Sequence, residues 1–453
     1  MISPLLLCSV ALALALAAEP ASPAEPASPA EPASPAEPVA EATLHGDVKT
    51  FMVASFPTNE AASGQGTADL RLKLEVRSGK TWRFTGHQTL TTFNLRPGAG
   101  LAGAGAGVGL LAPQLINLTH TFDTVPAAAP EGTEPQLVLR TRTDRATVRL
   151  SVPGLDVTLG RQPITFGAGL AFTPMDVVNP FNAATIDTEY KPGVDALRLD
   201  GYLGMSGRIT GVAAWSGAPI HKPGCDRVAS EGVPPMPADP ADDPRVCAAV
   251  SLQEVILAVN GQATLGVTDV QLLVGSIRAE PVFGVGASSS IGPVGLHGDA
   301  TLTLPHPDAR EEAPFARAVI GADWRPTTTT TLSSEAYYQG FGAADPGGYL
   351  EILLGDRVAR GEVWQVGRYY TSLSVAQELT PLVSASVALI ANLGDPSALL
   401  APGVSWSVAG NASLAVGMFA GLGERPDLTA LDPLRSEFGT YPPAAYLQLR
   451  AYF

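Results

Sequence analysis

Past its first eighteen residues the 453-residue chain has no apolar run approaching the ~18 residues that a membrane-spanning helix requires, which excludes a bundle of membrane helices. Charge is also scarce. Only 16% of residues are charged, and 28 Lys and Arg against 43 Asp and Glu leave a net charge of −15, which argues against a nucleic-acid partner. The six histidines (His45, His87, His120, His221, His297 and His306) are scattered, with no serine or acid cluster beside them in sequence, so catalysis is not expected. There are three cysteines. Cys8 lies in the N-terminal apolar run, while Cys225 and Cys247 flank a Pro- and Asp-rich segment without apolar periodicity. That spacing lacks the closely paired ligands of a zinc site. In an oxidising compartment the two would close a long loop as a disulfide. No metal or cofactor is indicated.

What the chain does have is 45% hydrophobic residues with 47 Gly and 40 Pro. Hydrophobicity without long apolar runs means that apolar and polar residues are interleaved, the average that a barrel with an apolar outside and a polar inside produces. Leu5 to Ala18 is an apolar run of signal-peptide length, with small residues at Ala15-Leu16-Ala17 or Leu16-Ala17-Ala18 for cleavage, although Met1-Ile2-Ser3 supplies no positive charge before it. Residues 1–18 are read as a secretory signal. Cys8 comes too early for a lipoprotein cleavage site, so a lipid anchor is not expected. Residues 19–42 repeat Glu-Pro-Ala-Ser-Pro-Ala from Glu19, Glu25 and Glu31, a Pro-rich tether without a fold, assigned to the periplasm. Residues 43–453 form the body.

The body alternates. Asp69 to Arg77 sets charged side chains against Leu and Val at period two, and Val383 to Leu393, Val404 to Val408 and Leu414 to Met418 continue the pattern. The last eleven residues put Ala445, Leu447, Leu449, Ala451 and Phe453 on one face and Tyr446, Gln448, Arg450 and Tyr452 on the other. This ending resembles the terminal strand that the outer-membrane insertion machinery recognises, with Tyr446 and the final Phe453 as its aromatic signal. Turn signals at Ser78-Gly79, Pro153-Gly154, Met205-Ser206, Asn260-Gly261, Gly292-Pro293, Arg325-Pro326, Thr380-Pro381 and Gly410-Asn411 separate strands whose other ends open into long loops. The expected fold is all-β: a transmembrane antiparallel up-and-down β-barrel of about eighteen strands, with sixteen as the alternative because residues 249–291 change phase several times. Alternation slips near Asp144 to Ala146 and Gly160-Arg161, where bulges would restore it.

Residues 159–199 carry a longer motif. Leu159-Gly160-Arg161-Gln162-Pro163-Ile164-Thr165-Phe166-Gly167 is followed by Pro174-Met175-Asp176-Val177-Val178-Asn179-Pro180-Phe181 and then by Glu189-Tyr190-Lys191-Pro192-Gly193-Val194-Asp195. The motif resembles the signature of a porin-like Gram-negative outer-membrane barrel family that groups loosely with alginate-export proteins. Phe166 stands where the family commonly has tryptophan. The stretch from Pro174 to Pro192 is too apolar for an exposed loop and is expected to fold inward, with Arg161 a candidate partner for Asp176 or Asp187 and with Asp176 and Asn179 capping turns.

A barrel of this size encloses an aqueous channel unless plugged, and the tether cannot fold into a plug. Passive or facilitated diffusion of small solutes is therefore the leading reading, with a polysaccharide-export pore or a surface scaffold as alternatives. The residues expected to line the pore lean basic (Arg71, Lys73, Arg77, Arg140, Arg142, Arg149 and Arg198, with Arg83, Arg208, Arg317, Arg368 and Arg450) against Asp69, Glu75, Asp156, Asp200, Asp323 and Glu335. Arg and Lys rings favour anions. Acidic loops suit neighbouring lipopolysaccharide bridged by divalent cations. Oligomeric state leaves no mark in the pattern.

Overall fold

A computed structural model of the chain describes residues 40–57, 62–95, 122–124, 136–180, 190–191, 193–215, 255–305, 313–359, 361–427, 429 and 433–453. Signal and tether residues 1–39, Asp187, Cys225 and Cys247 lie outside the described residues.

Nineteen strands are present among the described residues. β1 spans Glu41–Ser55, β2 Ser63–Ser78, β3 Trp82–Leu95, β4 Phe122–Thr124, β5 Gln136–Val152, β6 Leu155–Gln162 and β7 Val194–Leu203. β8 spans Gly207–Trp215, β9 Val255–Leu265, β10 Thr268–Ile277, β11 Glu280–Ile291, β12 Val294–Thr303 and β13 Phe315–Trp324. β14 spans Thr330–Gln339, β15 Tyr369–Thr380, β16 Val383–Asn392, β17 Ser397–Ala409, β18 Ala412–Leu422 and β19 Ala444–Tyr452. The three-residue β4 pairs only with β5. The other eighteen pair with their sequence neighbours, all antiparallel, β3 directly with β5, and β19 pairs with β1 to close the ring. The chain is a closed eighteen-strand antiparallel β-barrel, so its ring has no edge strand.

Closure runs from Asp47 opposite Tyr452 to Ser55 opposite Ala444, and the Gly46 amide and carbonyl both bond the backbone of Phe453 at 2.8 and 2.9 Å. Side chains at paired positions share a face. Asp47, Lys49, Arg71, Lys73, Thr89 and Arg450 therefore form one inward row, while Leu72, Leu74, Val404, Val416 and Leu447 face outward and are exposed, as lipid contact requires. Eight turns of two to five residues gather at one end of the barrel, the periplasmic end in barrels of this kind. The opposite end carries the long connections.

Three readings of the sequence are corrected. Asn260-Gly261 is not a turn. Asn260 is a fully buried, inward-facing residue in mid-strand β9, and the turn is Gly266-Val267, with Gly266 at φ 68°. The turn therefore lies six residues beyond the place where the sequence signal put it. The sequence reads as strand over residues 155–168, but the chain leaves the wall after Gln162, where Pro163 removes a ladder donor. β1 begins at Glu41, two residues inside the segment assigned to the tether. The slip near Asp144 is a bulge, since His87 and Gln88 face Arg145 and Thr143 and leave Asp144 unpaired in the ladder. At Gly160 the strand is kinked rather than slipped in register. Its φ of 116° and a Cβ position 2.1 Å from the Ala146 carbonyl oxygen admit only glycine.

Candidate constriction and lumen lining

Between β6 and β7 the chain turns into the barrel, which is why the stretch looked too apolar for a surface loop. Ile164, Phe166, Met175, Val177 and Val178 bury against the inward Val194, Ala196, Val212, Ala214, Ile256, Ala258 and Leu273 of the wall. Phe172 stacks on Tyr337 of β14, ring centroids 4.7 Å apart, beside Tyr370.

Two wall carboxylates hold the backbone of this loop. Asp299 of β12 accepts from the amides of Ala168 and Gly169 at 2.7 and 2.9 Å. Glu335 of β14 accepts from Leu170, Ala171 and Phe172 at 2.6, 2.9 and 3.0 Å. His297 stands behind, Nε2 at 2.9 Å from Glu335 and Nδ1 at 3.2 Å from Asp323. So one histidine does sit among acids: Asp299 two residues along its own strand, and Asp323 and Glu335 from the next two strands. Its partners orient Glu335 toward the loop amides. A carboxylate accepting several amides makes charge-assisted bonds, roughly twice as strong as neutral ones. The loop leaves the wall at β6 and docks on β12 and β14, nearly half-way round the ring, so it spans the lumen.

The family motif closes on itself. Lys191 Nζ lies 2.6 Å from both oxygens of Asp176, 2.5 Å from the Ile164 carbonyl and 2.9 Å from Thr165 Oγ1. Burial pushes the Asp176 carboxyl up, to about 6, against the pull of the Lys191 charge, and burial pushes Lys191 down. Asn179 is buried in the same turn region. Arg161 does not join this pair. Its guanidinium makes a bidentate contact with Asp195 of β7, at 3.0 and 2.8 Å, and donates to the Thr143 carbonyl.

Loops at the same end pack against the docked segment. Arg357 bridges Glu280 and Glu362 at 2.9 and 3.0 Å and lies over Phe315. Glu437 collects Val366 N, Tyr370 Oη and Asn392 Nδ2 at 3.2, 2.6 and 2.7 Å, tying together the connections before β15, after β16 and before β19. Burial pushes the Glu437 carboxyl up to about 7.

The free side of the lumen runs along β1, β2, β3, β5 and β19. Its inward row carries Lys49, Arg71, Lys73, Arg77, Arg83, Arg142, Arg145, Arg149 and Arg450 against Glu41, Asp47, Asp69, Glu75 and Asp144, and Arg140 takes the register position opposite Thr91 in that row. Each of three carboxylates is shared by two cations: Asp144 by Arg71 and Arg142, Asp47 by Lys73 and Arg450, Glu75 by Arg77 and Arg83. The wall therefore keeps an excess of positive charge. Arg149 approaches Asp156 at 4.0 Å, and Arg198 pairs with Asp200 at 2.7 Å. Next round the ring, β15 to β18 present small neutral side chains inward, Ser374, Ser386, Gly403, Ser405 and Ala415 among them.

Sequence reasoning missed two functional features. Glu335 and Asp299 dock a loop through its backbone, which leaves no side-chain pattern to find. Tyr190 lies over Arg71, 3.7 Å from guanidinium carbon to ring centroid, across a long separation in sequence.

No protein-family model matches the chain, and no curated protein matches it. Among solved structures, Acinetobacter baumannii OccAB4 superposes with a TM-score of 0.54 at 7% identity, covering 91% of this chain and 98% of that one. Pseudomonas aeruginosa OccK11 (OpdR) gives 0.51 at 8% identity over 91% and 96% of the two chains, and Pseudomonas aeruginosa OccK8 (OprE) 0.51 at 7% over 91% and 98%. At these identities the likeness is one of fold. The class so defined is one of fold, a closed eighteen-strand antiparallel β-barrel.

Proposed function

We propose that the protein is an outer-membrane diffusion channel for small solutes with a preference for anions. The observation that carries this reading is the pairing of a docked in-folded loop, which narrows the lumen, with a wall whose carboxylates are each shared between two cations. In two of these pairs the carboxylate lies deeper than its partner: Arg142 and Lys73 side chains are 29% and 20% exposed, Asp144 and Asp47 each 2%. Positive charge is what a passing solute meets first, and fixed cations at close quarters favour anions. A lumen narrowed in this way suits small solutes better than a polysaccharide, and the mixed charges of the wall point the same way.

Replacing Arg142 and Arg149 by Gln tests the reading. The anion-to-cation permeability ratio should fall, read from the reversal potential across a planar bilayer under a salt gradient. An unchanged reversal potential would remove the proposed preference. We also assign β19, with Tyr446 and Phe453, as the segment read by the barrel-insertion machinery, and the exposed outer belt as the surface that meets lipid and lipopolysaccharide.

A further inference from the structure

Tyr190, at the end of the in-folded segment, lies against the basic wall. Its ring sits 3.7 Å from the Arg71 guanidinium carbon, 4.6 Å from Lys73 Nζ and 5.6 Å from the Arg450 guanidinium carbon. An aromatic face attracts cations through its quadrupole, most strongly where water is excluded. The ring is also held from behind. Lys191, the next residue, is anchored to Asp176 and to the Ile164 carbonyl, and its own carbonyl accepts from Arg145 at 2.6 Å. Two anchors on one residue leave the neighbouring ring little freedom to swing.

The consequence shows in exposure. Arg71 and Arg450 are only 6% and 2% exposed, although both lie on the inward face of a water-filled barrel. Sequence alone places Arg71 in the pore. In the structure it lies beneath Tyr190.

We propose that Tyr190 is the selectivity-determining residue of the constriction: a cap that withholds the innermost cations of the basic wall from passing anions, so that the more exposed Arg142 and Arg149 set the preference of the native channel. This inference rests on the channel reading above. The groups that its removal would uncover are net positive, since Arg71, Lys73 and Arg450 outnumber the deeper Asp47 and Asp144 that they contact. Uncovering them strengthens the local positive field beside the in-folded loop.

The full chain, refolded and inserted in planar bilayers, is compared with Tyr190→Ala, Tyr190→Phe and the double variant Tyr190→Ala with Arg71→Gln. Folded protein is verified in each case by heat-modifiable gel migration, and Tyr190→Ser replaces the alanine variant should that fail to refold. Expected is a rise in the chloride-to-potassium permeability ratio of roughly two- to threefold in Tyr190→Ala, no change in Tyr190→Phe, which keeps the ring, and a return toward the native ratio in the double variant. A conducting native protein whose ratio is unchanged or lowered by Tyr190→Ala overturns the cap. A folded native protein that does not conduct overturns the channel reading instead, so the two failures are told apart.

Discussion

Lys191 satisfies a buried carboxylate, a backbone carbonyl and a hydroxyl with one ammonium group, and the in-folded loop depends on it. Removing one partner of a buried pair strands the other, at a cost of about 3–5 kcal/mol. Lys191→Met should therefore loosen the loop while leaving the barrel closed, and amide hydrogen exchange should quicken between Ile164 and Met175 but not in the strands. Equal protection of that segment in the variant would show that the pair does not hold it. At the seam, a Cβ on Gly46 would come 2.3 Å from the Phe453 ring, with the Arg71 carbonyl on its other side. Gly46→Val should lower the yield of folded barrel on refolding, and shortening the ring with Phe453→Ala in the same chain should recover part of it. Both sets of residues were visible in the sequence as motif members or as a terminal aromatic. Their partners were not. Of the two carboxylates matched to Arg161, Asp176 is held by Lys191 across a fold in the loop and Asp187 lies outside the described residues, while spacing cannot say that Asp195 stands opposite Arg161 on the next strand.

Strands were legible because each crossing repeats a two-residue code imposed by lipid on one side and water on the other. The count of eighteen and most boundaries follow from that code alone. The code fails where its premise fails. Asn260-Gly261 has the composition of a hairpin turn, yet Asn260 faces an interior polar enough to take it, so a mid-strand pair mimicked a turn. Loop docking was legible only in half: Asp323 and Glu335 were read as inward-facing, but the amides of residues 168–172 that Asp299 and Glu335 bind are common to any sequence. Replacing Glu335 by Ala removes the acceptor for three amides, leaving donors unsatisfied at about 1–3 kcal/mol each. The loop should undock, seen as larger and noisier single-channel conductance. Unaltered conductance in the folded variant would mean that the apolar contacts of Phe172 suffice. The loops at the mouth add a pH dependence. Glu437 has its carboxyl raised from the ordinary value of 4.5 to about 7 by burial, so the packed mouth prefers the protonated form. Its stabilisation is fully present below about 4.5 and is lost as pH rises through about 7. The other ionisable groups that face it are Tyr349, Tyr370, Tyr441 and Asp395, none of them cationic at neutral pH. The unfolding temperature should fall between pH 5.5 and 8.5, and Glu437→Gln should flatten that dependence. A native protein insensitive to pH over this range would contradict it.

Across the whole molecule, the acidic net charge and the basic lumen wall are compatible because they occupy different places. The chain carries −15 overall, while the inward face of β1 to β5 and β19 concentrates arginine and lysine. Net charge governs solubility and long-range approach, whereas selectivity depends on the few charges within reach of the narrowest passage. On this account the docked loop decides which charges those are, by covering the wall from β7 to β14 and by setting Tyr190 over part of the basic face beside it. Closure of the barrel through β1 and β19 supplies the rigid frame, and the wall carboxylates fasten the constriction to it. The measurement that tests this account most directly is the reversal potential of the folded native protein in a planar bilayer under a tenfold potassium chloride gradient. The account predicts steady openings and a reversal potential of the sign that marks chloride as the more permeant ion. A closed barrel, or openings that favour potassium, would contradict it.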